Sequence, residues 1–340
     1  MKGQTVYRRY PWLNSGLVIL LLLLTLVSLR IGPVSISTSE LINALVHSQD
    51  SNQTLRHNMI LIELRLPRLL LAILVGGSLG ISGAALQGLL RNPLAEPGLI
   101  GVSSCAGLGA VICLYFGLST LSIWLLPTMA MTGAALATLL LCWIGRHHAG
   151  NLTLILSGIA LSSLAAALTS LALNLAPSPA DVQDMVLWLL GSLNYRSFND
   201  IQLCFPFVLI GLILLMSCGA KLDALTLGEA EAQSLGVNLP ELQRQIIVGT
   251  ALSVGSCVAV TGTIGFVGLV VPHLLRRWVD YHPSRLLLSS ALGGAVLLLA
   301  ADIALRLLSS TQEIMLGVVT ALIGAPFFLF LVLQQKWRVP

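Results

Sequence analysis

A chain of 340 residues that is 56% hydrophobic and only 9% charged, with a mean hydropathy of +0.90, has too few charges to solvate the surface of a soluble domain. It reads as an all-α polytopic membrane protein. Its net charge of +4 follows from topology and implies no nucleic-acid partner.

Each helical crossing takes about 20 mainly apolar residues. Ten candidate spans follow in chain order: Leu13–Leu29, Leu66–Leu90, Leu99–Leu118, Ser122–Ile144, Leu152–Leu173, Ile201–Ala220, Ile246–Gly262, Ile264–Trp278, Leu286–Leu308 and Ile314–Leu333. The eighth is short, so nine spans is the alternative. With ten spans and the N-terminus inside, twelve of the 18 Lys and Arg fall on one face, which marks that face as cytoplasmic and puts both termini there. Lys2, Arg8 and Arg9 precede the first apolar run like a signal peptide, but no small-residue cleavage site follows Arg30. The run reads as an uncleaved first span.

Ile31–Glu63 is an outer segment of modest polarity, and Arg65 and Arg68 flank Pro67 at the mouth of the second span. Such arginines either snorkel or receive carboxylates with their planar forks. Within the span, Gly76, Gly80, Ala84 and Gly88 recur every four residues as a stripe that lets backbones approach or lines a wide path. Arg91–Gly98 holds two prolines and a charge and is expected to leave the membrane on the cytoplasmic face. His147 and His148 link the fourth and fifth spans; neighbours on a helix diverge by about 100°, so they make a poor ligand pair. The fifth span is dense in Ser, Gly and Ala. Residues 174–200 form an outer, periplasmic segment with a short helix over Asp181–Leu190, its acids in the first turn and Gly191 at its end.

The cytoplasmic loop 221–245 is polar but built to be ordered. Gly228 precedes Glu-Ala-Glu-Ala-Gln-Ser-Leu, good helix formers with acids first, and Gly236 stops the run. Asn238 can cap a second helix that carries Pro240 in its first turn. Two short helices at an angle make a rigid knob between two halves of a membrane domain. Thr261–Arg277 reads as a glycine-rich outer turn feeding the short eighth span, with His273 as a hydrogen-bonded structural residue. Asp302 and Arg306 lie four apart on one helix face and can pair with each other. Six single cysteines scattered through spans read as small apolar packers. Val75–Gly83 and Val248–Ser256 echo one another on spans of opposite direction, a faint sign of the inverted repeats found in transporters.

Function is constrained by what the spans lack. Nearly every acid lies in a loop or at a span end, which disfavours an ion-coupled secondary transporter. The only lysines are Lys2, Lys221 and Lys336, and none sits in a phosphate-binding loop. Energy for transport must come from another subunit, and a rigid knob is where a soluble motor can push.

Five ordered motifs carry a resemblance: Arg65–Arg68 with its Leu-Pro centre, Ser82–Gly98, Leu227–Val237, Gly265–His273 and Gly317–Pro326. Together they resemble the permease family of type II ABC importers for iron-siderophores, haem and vitamin B12, over about Leu66–Leu333. The resemblance implies a ten-span subunit of the bacterial inner membrane. It is not an enzyme itself, and it works as a homodimer with two cytoplasmic ATPase subunits and a periplasmic substrate-binding protein. ATP and Mg belong to the partner ATPase, no cofactor is permanently bound, and the cargo passes through. Pro97–Ser104 and Leu187–Leu193 are most similar to the haem importers, with ferric siderophore or cobalamin as the alternatives. By the same resemblance Leu227, Gly228, Glu229, Ala232, Leu235, Gly236 and Val237 couple to the ATPase. Arg65, Arg68 and Arg306 receive glutamates of the binding protein. Asn151 and Leu152 fall at the cytoplasmic gate, where the family often has small hydroxyl residues.

Overall fold

The computed structural model describes residues 9–32, 59–147, 150–308 and 314–336. Most of the expected outer stretch Ile31–Glu63, and His148, lie outside the described residues. In chain order the helices are α1 (Arg9–Arg30), α2 (Leu66–Leu89), α3 (Val102–Tyr115), α4 (Leu125–His147), α5 (Asn151–Asn174), α6 (Pro179–Leu189) and α7 (Phe198–Met216). They continue as α8 (Gly219–Leu225), α9 (Glu229–Ser234), α10 (Leu239–Thr250), α11 (Ser256–Thr261), α12 (Val267–Leu275), α13 (Pro283–Leu308) and α14 (Leu316–Lys336). A π-helical turn over Ile60–Arg65 leads into α2, and another over Ala251–Gly255 joins α10 and α11 into one rod. Seven rods are long and apolar enough to cross a membrane: α1, α2 with its π turn, α4, α5, α7, α10–α11 and α13. The other three expected spans also fall on helices, α3, α12 and α14, but among the described residues only the seven rods are of crossing length, and α12 has nine residues.

Two rods form the centre. In both α2 and α10–α11, 78% of the most apolar window is buried, against 6% in α1 and 17% in α5. The glycine stripe explains the burial of α2. Gly76 and Gly80 lie against the backbone of Gly294 and Ser290 in α13, and Gly83 against Gly268 in α12, with no room for a methyl group. The stripe is a packing seam, because without a hydrophobic drive between helices in lipid, close van der Waals contact holds them together. Gly80→Leu is expected to overpack this seam and cost at least about 1–3 kcal/mol, seen as a lowered thermal midpoint in detergent.

Turn depth differs from the sequence reading. At about 1.5 Å per residue the nine residues of α12 span about 14 Å, less than half of the ~30 Å hydrocarbon layer. The glycine-rich turn before α12 therefore sits near mid-depth and not at the outer surface. Gly262, at φ +73°, reverses the chain there. The loop Arg91–Gly98 likewise does not simply leave the membrane. It folds back until Pro97 touches Gly268 beside Leu79, and a 3-10 turn over Pro97–Ile100 starts α3 at that depth. Gln87 tethers the return, donating from Nε2 to Ala95 O at 3.1 Å and accepting from Arg276. Irregular backbone survives at membrane depth only where protein buries it or a cavity borders it, and both turns border the same cavity.

Candidate functional site

The re-entrant segment, the 261–266 turn, the end of α6 and one face of α14 enclose an open cavity of about 810 Å³. Backbone bonds join its walls: Ser192 N–H donates to Thr261 O at 2.8 Å and Gly317 N–H to Gly191 O at 3.2 Å. The lining is mostly small or apolar, including Leu79, Ala321, Leu322, Ala325 and Pro326, with Ser103, Ser104 and Thr263 as hydroxyls. Among the described residues no lysine or arginine lines it. Its one carboxylate is Glu96, which accepts the N–H of Phe266 at the start of α12. Glu96 lies in a loop, as the sequence reading places the acids, but that loop folds back to the cavity. Toward the knob, His273 packs edge-on against Phe327, ring centroids 6.0 Å apart, where the sequence suggested a hydrogen bond.

The knob is two short helices and a cap. Gly228, at φ +131°, opens α9, and Gly236, at φ +88°, closes it, with Val237 N–H donating to Ala232 O at 3.0 Å. Asn238 Oδ1 accepts from Glu241 N–H at 3.3 Å and caps α10, which carries Pro240 in its first turn. Leu227 and Leu235 are 65% and 64% exposed, Glu229 and Gly236 are exposed, Ala232 is buried, and Val237 packs inward. The root is tied down twice. Asp223 accepts from Ser284 N–H at 2.9 Å, and Lys221 donates to Gln245, which donates to Leu214 O at 3.2 Å.

The three outer arginines meet at the opposite face, and only one points outward. Arg65 is 5% exposed and donates to Leu29 O; Arg306 donates to Ser28 O and Ile31 O at 3.0 and 3.1 Å and to Asp302. Arg68, with a 21% exposed side chain, holds the other oxygen of Asp302 at 2.7 Å. Asp302 is fully buried between two guanidinium groups, so the i,i+4 pair read from the sequence is half of a three-residue cluster that also clamps the end of α1. Arg68 lies 234 residues away from Asp302, and no local pattern announces that contact. The two expected gate residues begin α5 on the knob side. Gly150, extended at φ −176°, precedes Asn151, and Leu152 is 69% exposed.

The family model described as the FecCD transport family matches residues 20–334. The chain belongs to the FecCD transport family. FecCD relatives cover nearly all of it. The chain is 40% identical over 318 residues to the Fe(3+)-citrate import system permease protein YfmE of Bacillus subtilis, covering 93% of this chain and 92% of that one. It is 38% identical over 334 residues to the hemin transport system permease protein HmuU of Yersinia pestis, covering 97% and 98%. It is 37% identical over 329 residues to the vitamin B12 import system permease protein BtuC of Salmonella typhimurium, covering 96% of each. A solved transporter described as metal-chelate type, in an inward-facing conformation, superposes with TM-score 0.82 at 34% identity, covering 97% of this chain and 100% of that one. As a FecCD protein the chain is the permease subunit of a type II ABC importer, the subunit that does not itself hydrolyse ATP.

Proposed function

We propose that this permease carries haem from a periplasmic binding protein to the cytoplasm across the bacterial inner membrane, working as a homodimer with two ATPase subunits that hold ATP and Mg. The observation that carries the choice of cargo is the cavity lining, which offers small and apolar side chains, one carboxylate and no cation. A ferric citrate complex is compact and anionic and finds no basic partner there. Haem confines its charge to two propionates at one edge, and its broad apolar faces fit such a wall, where weak binding along the way speeds release.

In this reading the basic-rich knob face is cytoplasmic, with both termini on that side and residues 174–200 periplasmic. Leu227–Val237 seats in the ATPase, with Leu227 and Leu235 as its exposed apolar contacts. Arg65, Arg68 and Arg306 form the docking platform for the binding protein, in which Arg68 reaches the surface while Arg65 and Arg306 hold the platform in shape. Asn151 and Leu152 form the cytoplasmic gate. Reconstitution with the partner subunits tests the cargo: ATP-dependent uptake of hemin into vesicles is expected, with ferric citrate and cobalamin near background. Uptake of either of those without hemin uptake overturns the assignment.

A further inference from the structure

Away from the cavity and the knob tip, the seam between α4, α7 and the α10–α11 rod opens outward as a cleft of about 440 Å³, within the size range of small-molecule sites. Its floor is made of small residues, among them Ala134 and Gly255, and its rim includes Ala135, Leu139, Phe207 and Leu252. The hydroxyls in it are spent on their own helices: Thr138 donates to Ala134 O at 2.7 Å and Ser256 to Leu252 O. The cleft therefore presents an apolar face at membrane depth. From Leu139 to Met131 it follows eight residues of α4, about 12 Å at helical rise, a little under half of the ~30 Å hydrocarbon layer.

At the knob face Val248 lines both this cleft and a second hollow that holds Arg244 and Lys221, and Arg244 also lines a third hollow that holds Arg146. Three helices, α4, α8 and α10, thus bring three cations to its mouth. The mouth holds one carboxylate, Glu241, 3.8 Å from Lys221, with both side chains at least one-third exposed, and such exposed pairs are weak. Trp143, 60% exposed, lies one turn from Arg146 on the outward face of α4 beside Leu139 and Leu140, at the level where tryptophans mark the headgroup layer.

We propose that this seam binds an anionic phospholipid, with one acyl chain lying in the cleft and the phosphate on Arg146, Arg244 and Lys221. A cationic mouth above an apolar slot selects an anionic headgroup over a zwitterionic one, whose ammonium meets the same cations. The lipid would bear on α10, the helix that Asn238 caps at the root of the knob.

The test uses the full-length permease purified in detergent, titrated with phosphatidylglycerol, phosphatidylcholine or inorganic phosphate, with bound lipid counted by native mass spectrometry and stability followed by thermal unfolding. Phosphatidylglycerol is expected to bind and raise the midpoint, while phosphatidylcholine and phosphate do neither. Juxtamembrane cations contribute about fivefold in affinity each, so Arg146→Gln and Arg244→Gln together should weaken phosphatidylglycerol about twenty-five-fold. Ala135→Trp, at an exposed position on the cleft, should displace the chain without disturbing the core. Arg277→Gln, at another exposed arginine, should change nothing. Equal binding of the two lipids, unchanged affinity in the double-glutamine and tryptophan variants, an equal loss in Arg277→Gln, or stabilisation by phosphate alone would each overturn the site.

Discussion

Asp302→Ala is expected to cost the folded permease roughly 3–5 kcal/mol, the range for removing one partner of a buried ion pair. Its carboxylate is fully buried and serves Arg68 on one oxygen and Arg306 on the other, so its loss strands two guanidinium groups. A protein's net stability is about 5–15 kcal/mol, so the loss should show as poor accumulation in membranes and a much lower thermal midpoint in detergent. Arg306 also bonds the carbonyls of Ser28 and Ile31, so α1 should become the first helix open to protease. Asp302→Asn keeps the shape without the charge and should fall between. Converting Arg68, Asp302 and Arg306 together to leucine should recover most of the midpoint, because an apolar set of similar volume avoids desolvating three charges. A midpoint unchanged in Asp302→Ala would show that the cluster carries no stability.

The ten helical stretches were legible because apolar runs broken by charges state their number and place directly. Local chemistry was legible too, as in the Asn238 cap and in α6, which starts at Pro179 with Ser178 as its cap, two residues before the expected Asp181. Depth was not. Hydropathy reports that Thr261–Phe266 is apolar and glycine-rich, but not that this turn borders a cavity, nor that Arg91–Gly98 folds back. Those facts rest on contacts between remote segments, such as Pro97 on Gly268. The arginines mislead for the same reason: sequence places Arg65 and Arg306 at a membrane edge, and only the fold shows their donors committed to α1. The faint echo between Val75–Gly83 and Val248–Ser256 falls on the two most buried rods, where Ser82 and Ser253 meet at 3.1 Å. Both helices need small faces because both are surrounded, which accounts for the similarity by packing.

Gly228→Leu is expected to abolish ATP-driven uptake while the membrane helices stay folded. At φ +131° and ψ 160° this residue occupies backbone space that is essentially closed to side chains, and a Cβ there would strike the Glu231 carboxylate. The strain, about 1–3 kcal/mol, is relieved most cheaply by turning α9 on its exposed hinge, since the root below is pinned through Asp223 and Lys221. A turned α9 moves Leu227 and Leu235 out of register with any groove that receives them. Leu235→Glu tests the contact without the backbone: the side chain is 64% exposed, so folding should be indifferent, whereas an interface anchor is worth about 2 kcal/mol or more, some thirtyfold in association. Gly236→Asn, at φ +88°, should be mild, because asparagine tolerates left-handed backbone. The measurements are hemin uptake and ATP hydrolysis by the reconstituted complex, with thermal unfolding of the permease as control. Loss of uptake with hydrolysis persisting and the midpoint within a few degrees is the expected pattern. Normal uptake in both Gly228→Leu and Leu235→Glu would remove the knob from the coupling path.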